Sequence, residues 1–592
     1  MTSRGQDTQQ PSPTEILFRI ATVFVYLFLF APVVTFAAFN EQMVVDPISI
    51  ALGNSVTARP PGIASLHFNP AGLTKLPEGK LKGSGLTVAR TVRKVTTYPD
   101  QNFGGFMNTF GPAEKGMRPD PCWGVEGTST STDLFIPIKG AIHFDPFLAL
   151  PTSTQAYTKP GSRWSFARGV ISPFSGGFSH KINNDPNMFF ARELYSQRIN
   201  YLSPGVGYRV SDQFSVGLTV AAGMTNFGVK GFRRSPSHMT ALTKILGEAT
   251  RTLNIPIISQ ETLPPPWFGG GISPWEPVME MQVRMNDWFS PSYNIGALWE
   301  PNQYISFGAV YQSEIRNEMT GDYMFSYTPP FRSMIDWFGS SPLLQIQSAI
   351  LDLPTQSVPY QKGTVVSEYS FPQRVQAGVM LSPFKKMRLL CDVHWADWSV
   401  WPAMELHFDQ DIQALRLAKL SGHTHGNRTV VSETGLHDTF HWSYGLEYDL
   451  SNVLCLRLGY EDRQSSVNIQ DFSLSSLPDI KKYGVGVGVK MKNGATLDVG
   501  YSYADTGDYW VPNDTSVNLN SLRFTKTSQS QYAGSHVKFR FFAHLFSFAI
   551  TKPVTVPEET AVRKADKFKK LKQNLKFTME KLKSSLNPFK KN

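Results

Sequence analysis

The sequence predicts an all-β transmembrane protein, an antiparallel β-barrel, and three observations carry that class. Two short stretches of alternating apolar and small or polar residues, joined by a tight polar turn, recur at 205–220, 293–311, 375–393, 442–460 and 483–503. Composition agrees: of 592 residues 12% are aromatic and 18% charged, and 46 glycines with 41 prolines favour many short strands and turns over helices. Past residue 40 no apolar run reaches the ~20 residues that a membrane helix needs.

The last hairpin states the argument most clearly. Tyr483, Val485, Val487, Val489 and Met491 share one face, Lys492-Asn493-Gly494 turns the chain, and Leu497, Val499, Tyr501 and Tyr503 resume that face. The opposite face holds Gly484, Gly486, Gly488, Asp498, Gly500 and Ser502. Large apolar and aromatic groups on one side, with glycine and polar groups on the other, suit a wall with lipid outside and a lumen inside.

Organisation along the chain follows. Ile20 to Ala31 is apolar and leads to Thr35-Phe36-Ala37, so residues 1–37 read as a secretory signal cut near Ala37, with an uncleaved anchor as the alternative. Residues 38–80 are rich in Gly, Pro, Ala and Asn and lack a sustained strand pattern. The barrel is expected over 81–550, with early strands at 81–97 and 164–172 separated by a long Gly/Pro-rich stretch, 100–162. From Tyr201 short turns alternate with long loops, the asymmetry of a bacterial outer-membrane barrel with tight turns inside and long loops outside.

Two long loops carry helical spacing. Ser235-Pro236 starts one, with Met239, Leu242 and Leu246 in phase, and Ser341-Pro342 starts the other, with Leu343 and Ile350. These faces either pack as a lid or form a greasy landing groove at the barrel mouth. The last strand is expected at 536–550, with Val537, Phe539 and Phe541 outward and His536, Lys538 and Arg540 inward. After it, residues 551–592 form a basic tail in which Phe568, Leu571, Leu575, Met579, Leu582 and Leu586 outline an amphipathic helix, either solvated or laid on the inner leaflet.

Charge and cysteine usage exclude several classes. The net charge is +10, but residues 557–592 hold 11 Lys/Arg against 4 Asp/Glu, so the basicity belongs to the tail and no nucleic-acid partner is implied. Three cysteines, Cys122, Cys391 and Cys455, argue against a disulfide framework. His423 and His425 lack a third ligand in sequence reach, so no metal is expected. No nucleophile, base and orienter stand together as an enzyme needs, and the glycine runs alternate with valine instead of opening a helix as a phosphate loop would, so no cofactor is expected.

Colinear motifs carry a resemblance. Phe39-Asn40-Glu41, Ala51-Leu52-Gly53-Asn54 and Asn69-Pro70-Ala71-Gly72-Leu73 come first. Tyr208-Arg209-Val210-Ser211-Asp212 with Ser215-Val216-Gly217, Trp395-Ala396-Asp397-Trp398-Ser399, and Leu456-Arg457-Leu458-Gly459-Tyr460 with Leu477-Pro478-Asp479 follow in order. Over residues 39–550 the chain resembles outer-membrane long-chain fatty-acid transport proteins of the FadL/TodX type. The resemblance implies a monomeric barrel of about 14 strands with an N-terminal hatch plugging the lumen, in the outer membrane of a Gram-negative bacterium. It implies passive uptake of long-chain fatty acids or similar hydrophobic molecules by loop-groove capture, interior binding and sideways release into outer-membrane lipid through a gap in the third strand.

The residues suit each step. Phe39, Asn69, Pro70 and Ala71 are the expected plug, although an Asn before Pro is also an ordinary turn initiator. Pro173, Gly176 and Gly177 would break strand pairing at the gap, or simply end a strand. Aligned on the family's pocket, two apolar positions fall on Val229 and Val283, while its basic carboxylate contacts fall on Gly231 and Ser432. Arg233, Lys230 and Arg428 stand nearby. Either Arg233 and Arg428 replace the carboxylate clamp, or the cargo is an uncharged hydrocarbon or aromatic. A surface adhesion or structural barrel is the competing function.

Overall fold

The computed structural model describes residues 46–99, 122–130, 133–136, 140–143, 148–180, 192–234, 277–340, 342–418, 425–474, 476–520 and 534–554. The wall begins with β1 (Gly79–Tyr98), β2 (Glu126–Thr130 with Leu148–Thr158), β3 (Trp164–Ser179), β4 (Glu193–Leu202 with Gly205–Arg209) and β5 (Phe214–Arg234). β6 (Pro277–Asn302), β7 (Ile305–Gln312 with Ile315–Tyr327), β8 (Tyr360–Phe371 with Arg374–Phe384) and β9 (Met387–Ala396 with Ala403–Phe408) follow. β10 (Thr429–Glu433 with Thr439–Asp449), β11 (Leu454–Arg463), β12 (Ile480–Lys490), β13 (Thr496–Asp505 with Tyr509–Val511) and β14 (His536–Pro553) complete it. Neighbours pair antiparallel, and β14 returns to β1 from Leu81↔Pro553 to Tyr98↔His536, so the 14-stranded barrel is closed.

The expected hairpins lie across the tight turns. Gly494 takes φ +77° in the Lys492–Gly494 turn, the left-handed conformation that glycine adopts freely. Tyr293, Ile295, Leu458, Tyr483 and Val485 are exposed on the outer face, and the helices of the described residues are too short to cross a bilayer. The second strand lies within the stretch expected to be loop: Leu148–Thr158 (LALPTSTQAYT) has Pro, Thr, Ser, Thr and Gln through its centre, so it shows no apolar alternation.

One facing expectation is reversed. In β14, Val537, Phe539 and Phe541 are buried in the lumen against Phe472, whereas Lys538 and Arg540 point outward to Asp508 and Asp505. Phe546, Phe548 and Ile550, lower on the same strand, are the exposed lipid-facing residues. The reason is depth: above the bilayer the outer face meets water and becomes charged, so the apolar side chains turn inward. The alternation is one continuous parity whose chemistry inverts along the barrel axis.

Inside the wall lie α1 (Pro47–Ala51), a 3-10 turn at Gly62–Ala64, α2 (Ser65–Phe68) and a 3-10 helix at Pro70–Lys75. Asp46 caps α1, accepting from the Ile48 N–H at 2.8 Å, with Pro47 in the first helical position. Asn69 caps the Pro70 helix and donates through Nδ2 to Thr57 O (2.9 Å) and to Ala297 O of β6 (3.0 Å). Asn69, Pro70 and Ala71 are therefore buried against the inner wall; Phe39, the proposed signal and residues 555–592 of the tail lie outside the described residues, and the first tail residues, 551–553, extend β14. Gly296 and Gly459 are where the wall admits this hatch, since a Cβ at either would overlap Asn69 or Gly53.

Gly296→Val should therefore lower unfolding stability by about 1–3 kcal/mol through overpacking. A urea titration of the refolded barrel measures it, and an unchanged midpoint would mean that the hatch is not seated at this point.

Candidate functional site

Two chemically opposite zones divide the lumen. The lower one is ionic and ties hatch to wall. Glu447, 3% exposed, meets Arg59 of the hatch (2.8 Å), Arg457 (2.9 Å) and Arg388, while Arg388 and Arg457 continue to Asp449 (2.8 Å) and Asp498 (2.7 Å). Asn54 donates to Glu461 (2.8 Å), and the Thr57 N–H to Asp392 (2.7 Å). Glu461 also holds Arg463, Lys482 and His441. At the base, hatch residues Asp46, Ile48 and Ile63 and wall residues Leu81, Arg457 and Asp498 border a cavity of about 310 Å³.

The upper zone is apolar and rich in methionine. Val229 and Val283 are cross-strand partners in β5 and β6, both buried and inward. Around them pack Phe227, Met281, Met285, Met319, Tyr323 and Phe325. Methionine chains reshape easily, so this packing can yield to an alkyl chain or a ring at low cost. Phe174 and Phe178 of β3 belong to the same cluster, which brings it to the wall at β3.

β2 meets β3 from Thr158↔Ser165 to Ser153↔Val170 and next at Thr130↔Ser179, so Ile171–Gly177 have no β2 pair among the described residues. On the other side β3 pairs β4 with a register shift between Ile171 and Phe174, where Pro173 offers no N–H. A hairpin, Asp133–Ile136 with Gly140–His143, comes within 8 Å of both β2 and β3 in Cα distance. Pro173, Gly176 and Gly177 thus stand in one segment that lacks a β2 pair among the described residues and lies beside the apolar cluster.

The basic candidates separate. Arg233 is buried on the inward face, in register with Met279, two rows from Val229 and Val283. Lys230 faces outward and pairs with Glu280 at 3.0 Å. Arg428 is 60% exposed at the surface and pairs with Asp411 at 2.7 Å, holding that carboxyl below the usual carboxylate range. Arg233, Val229 and Val283 share the inward face of the wall, Arg233 two rows above the valine pair, whereas Lys230 and Arg428 lie elsewhere.

Sequence reading passed over other cations near the break. Arg93 of β1 is buried over the Phe178 ring at 4.1 Å. Arg374 of β8 lies 5.5 Å from the Phe174 ring and, with His67, Pro173 and Asn200, borders a cavity of about 30 Å³. Arg198 of β4 is the register partner of Phe174. Inward parity was the available signal, since Arg198 follows Leu194 and Ser196 at steps of two.

The loop helices α3 (Pro329–Phe338) and α4 (Pro342–Leu351) cover part of the mouth. α3 buries Phe331, Met334 and Ile335 in the apolar cluster and was not foreseen. α4 begins at Pro342 as the sequence indicates; it carries Leu343, and it leaves Ile346 and Ile350, one turn apart, 61% and 73% exposed. Met239, Leu242 and Leu246 lie outside the described residues. No group of three metal-type ligands occurs among the described residues.

Glu447→Gln should cost about 3–5 kcal/mol, because it strips the counter-charge from buried arginines. Arg428→Gln at an exposed pair should cost no more than about 1 kcal/mol. Urea unfolding midpoints of both variants check this, and equal effects would contradict the ionic anchoring of the hatch.

Residues 31–541 match the family described as outer membrane protein transport protein (OMPP1/FadL/TodX). A FadL homologue of Pseudomonas aeruginosa superposes with TM-score 0.59 at 16% identity, covering 87% of this chain and 100% of that one. The toluene transporters TodX of Pseudomonas putida (TM-score 0.54) and TbuX of Ralstonia pickettii (0.51), each 14% identical, cover the same shares. A protein assigned to the outer membrane of Neisseria meningitidis serogroup B is 21% identical over 228 residues, 38% of this chain; the match spans 44% of that protein's length. With the closed barrel and the family match over most of its length, the chain belongs to the OMPP1/FadL/TodX family of outer-membrane transport proteins.

Proposed function

We propose that the protein takes up long-chain fatty acids or similar hydrophobic molecules passively: exposed loop helices capture the molecule, the methionine-rich upper lumen binds it, and the break at β3 releases it sideways into the membrane. The segment Ile171–Gly177 carries this reading, because among the described residues it has no β2 pair and its Phe174 belongs to the apolar interior. Each methylene exposed to water costs about 0.8 kcal/mol, so an alkyl chain crossing the ionic lower lumen would lose what it gains by leaving lipopolysaccharide. Lateral exit avoids that zone. The similar solved structures include a FadL homologue and two toluene transporters, which supports a hydrophobic cargo. Arg233 stands as the candidate head-group contact in the upper pocket, beside Val229 and Val283.

Ile346 and Ile350 on α4 fit a first landing place, being apolar, adjacent and exposed on an extracellular loop. An adhesion barrel would have no use for a wall break backed by an apolar interior.

The test is uptake of labelled fatty acid by cells lacking their own uptake protein and expressing this chain. Replacing Pro173 with Val and Gly176 with Thr, residues that pair well in strands, should reduce uptake roughly tenfold, a change of about 1.4 kcal/mol in barrier, while the barrel still migrates as folded on unheated gels. Undiminished uptake by the folded variant would exclude the break as the exit.

A further inference from the structure

The outer face of the wall carries a row of cations that passage of a hydrophobic cargo through the lumen does not use. Four neighbouring strands meet in register at Lys552↔Lys82 (β14 and β1), Lys82↔Gln155 (β1 and β2) and Gln155↔Arg168 (β2 and β3). All four residues are exposed and share the outward parity of Ile550, Tyr157, Phe166 and Val170. Lys82 stands directly opposite Lys552, and like charges so placed repel. Arg168 donates from Nε (3.2 Å) and Nη2 (2.9 Å) to Gln155 Oε1, a neutral acceptor. Among the described residues no carboxylate lies within ion-pair distance of Lys82, Lys552 or Arg168. The upper wall is built differently: there Lys538 and Arg540 meet Asp508 (2.8 Å) and Asp505 (2.7 Å).

The depth of the row identifies what it meets. It lies towards the end of the barrel where short turns join the strands, such as 159–163 between β2 and β3 and 491–495 between β12 and β13, the periplasmic end. One outward step nearer those turns stand Tyr157 and Phe166, which pair with each other, and beyond them Trp164, whose ring lies 4.4 Å from that of Tyr208. Exposed Trp and Tyr mark the level of lipid head groups. One outward step farther from the turns, Ser84 and Ser153 are register partners set between Ile550 and Val170. Their short hydroxyl side chains leave the wall low between two larger apolar neighbours.

Unbalanced charge on the lipid face of a barrel is unfavourable unless the membrane supplies the counter-ion. Guanidinium and ammonium groups match phosphate oxygens, and the long stems of Lys and Arg reach along an apolar wall to the interface. Lipopolysaccharide lies at the other end of the barrel, so the phosphates in reach belong to glycerophospholipids of the periplasmic leaflet. Three cations exceed what one zwitterionic head group balances, which favours a lipid of net negative charge. We propose that Lys552, Lys82 and Arg168, with Gln155 orienting the arginine, form a head-group site for an anionic glycerophospholipid. Its acyl chains lie over Ser84 and Ser153, against Ile550 and Val170. The site is on the outside of the wall, apart from the interior cluster, and lateral release neither requires it nor follows from it.

The purified full-length barrel in uncharged detergent is titrated with phosphatidylglycerol or with phosphatidylcholine of identical acyl chains, and native mass spectrometry counts the bound lipid. The wild type should hold phosphatidylglycerol roughly tenfold more tightly than phosphatidylcholine. Lys82→Gln combined with Lys552→Gln should remove most of that preference, and Arg168→Gln should lower it. Lys385→Gln combined with Lys386→Gln removes the same charge from the turn between β8 and β9, on the far side of the barrel, and should leave the preference intact. Migration on unheated gels reports that each variant is folded. Equal affinity of the wild type for the two lipids overturns the proposal, and so does a preference retained by Lys82→Gln with Lys552→Gln. Equal loss in both double variants assigns the effect to net charge and overturns it as well.

Discussion

A peptide group left unpaired in hydrocarbon costs several kcal/mol, and the architecture follows from avoiding that cost all the way round the wall. Closure of β14 on β1 along eighteen residues of register removes both sheet edges at once. On the β2 side of β3, Ile171–Gly177 lack a β2 pair among the described residues, while pairing with β4 continues past the register shift at Pro173. The apolar cluster extends to this place through Phe174.

The hatch and the lower lumen form the second layer of dependence. Glycines on the inner face give room for hatch backbone, and the carboxylates of Glu447, Glu461 and Asp392 reach Arg59, Asn54 and Thr57. The buried carboxylates of Glu447 and Glu461 are retained there because each meets cations, and beside them Leu52, Val56, Ile63, Leu66 and Leu73 of the hatch pack against Leu81, Ile171 and Leu390 of the wall. The same matched charges make the base of the lumen a poor environment for a hydrocarbon, which leaves the upper wall as the favourable direction for apolar matter.

Much of the wall was legible because lipid and lumen impose a period of two. Tyr483 to Tyr503 shows it. Where the environment on the two faces was less distinct, the pattern failed. Leu148–Thr158 has Ser and Thr on both faces, so no alternation marks it as a strand. Val537, Phe539 and Phe541 do alternate, but the rule of apolar outside holds only at bilayer depth, and these residues stand above it. Arg428 looked suitable by position in the chain and is held by Asp411 at the surface, a pairing across 17 residues that spacing does not reveal. Arg198 offered only its inward parity with Leu194 and Ser196 as a signal, because a single arginine in a strand gains meaning only from the neighbours that the fold brings to it.

The inversion of chemistry along each strand also measures how far the protein projects. β6 alone runs 26 residues, roughly 85 Å of strand at ~3.3 Å per residue, and tilted by about 40° it rises roughly 65 Å against an apolar band of ~25 Å. The barrel is thus a chimney whose upper part rises through the sugar layer that shields the outer leaflet from grease. A molecule admitted at its rim bypasses that barrier without crossing it, and the charged outer face of the shaft keeps the chimney itself compatible with the sugars and water around it.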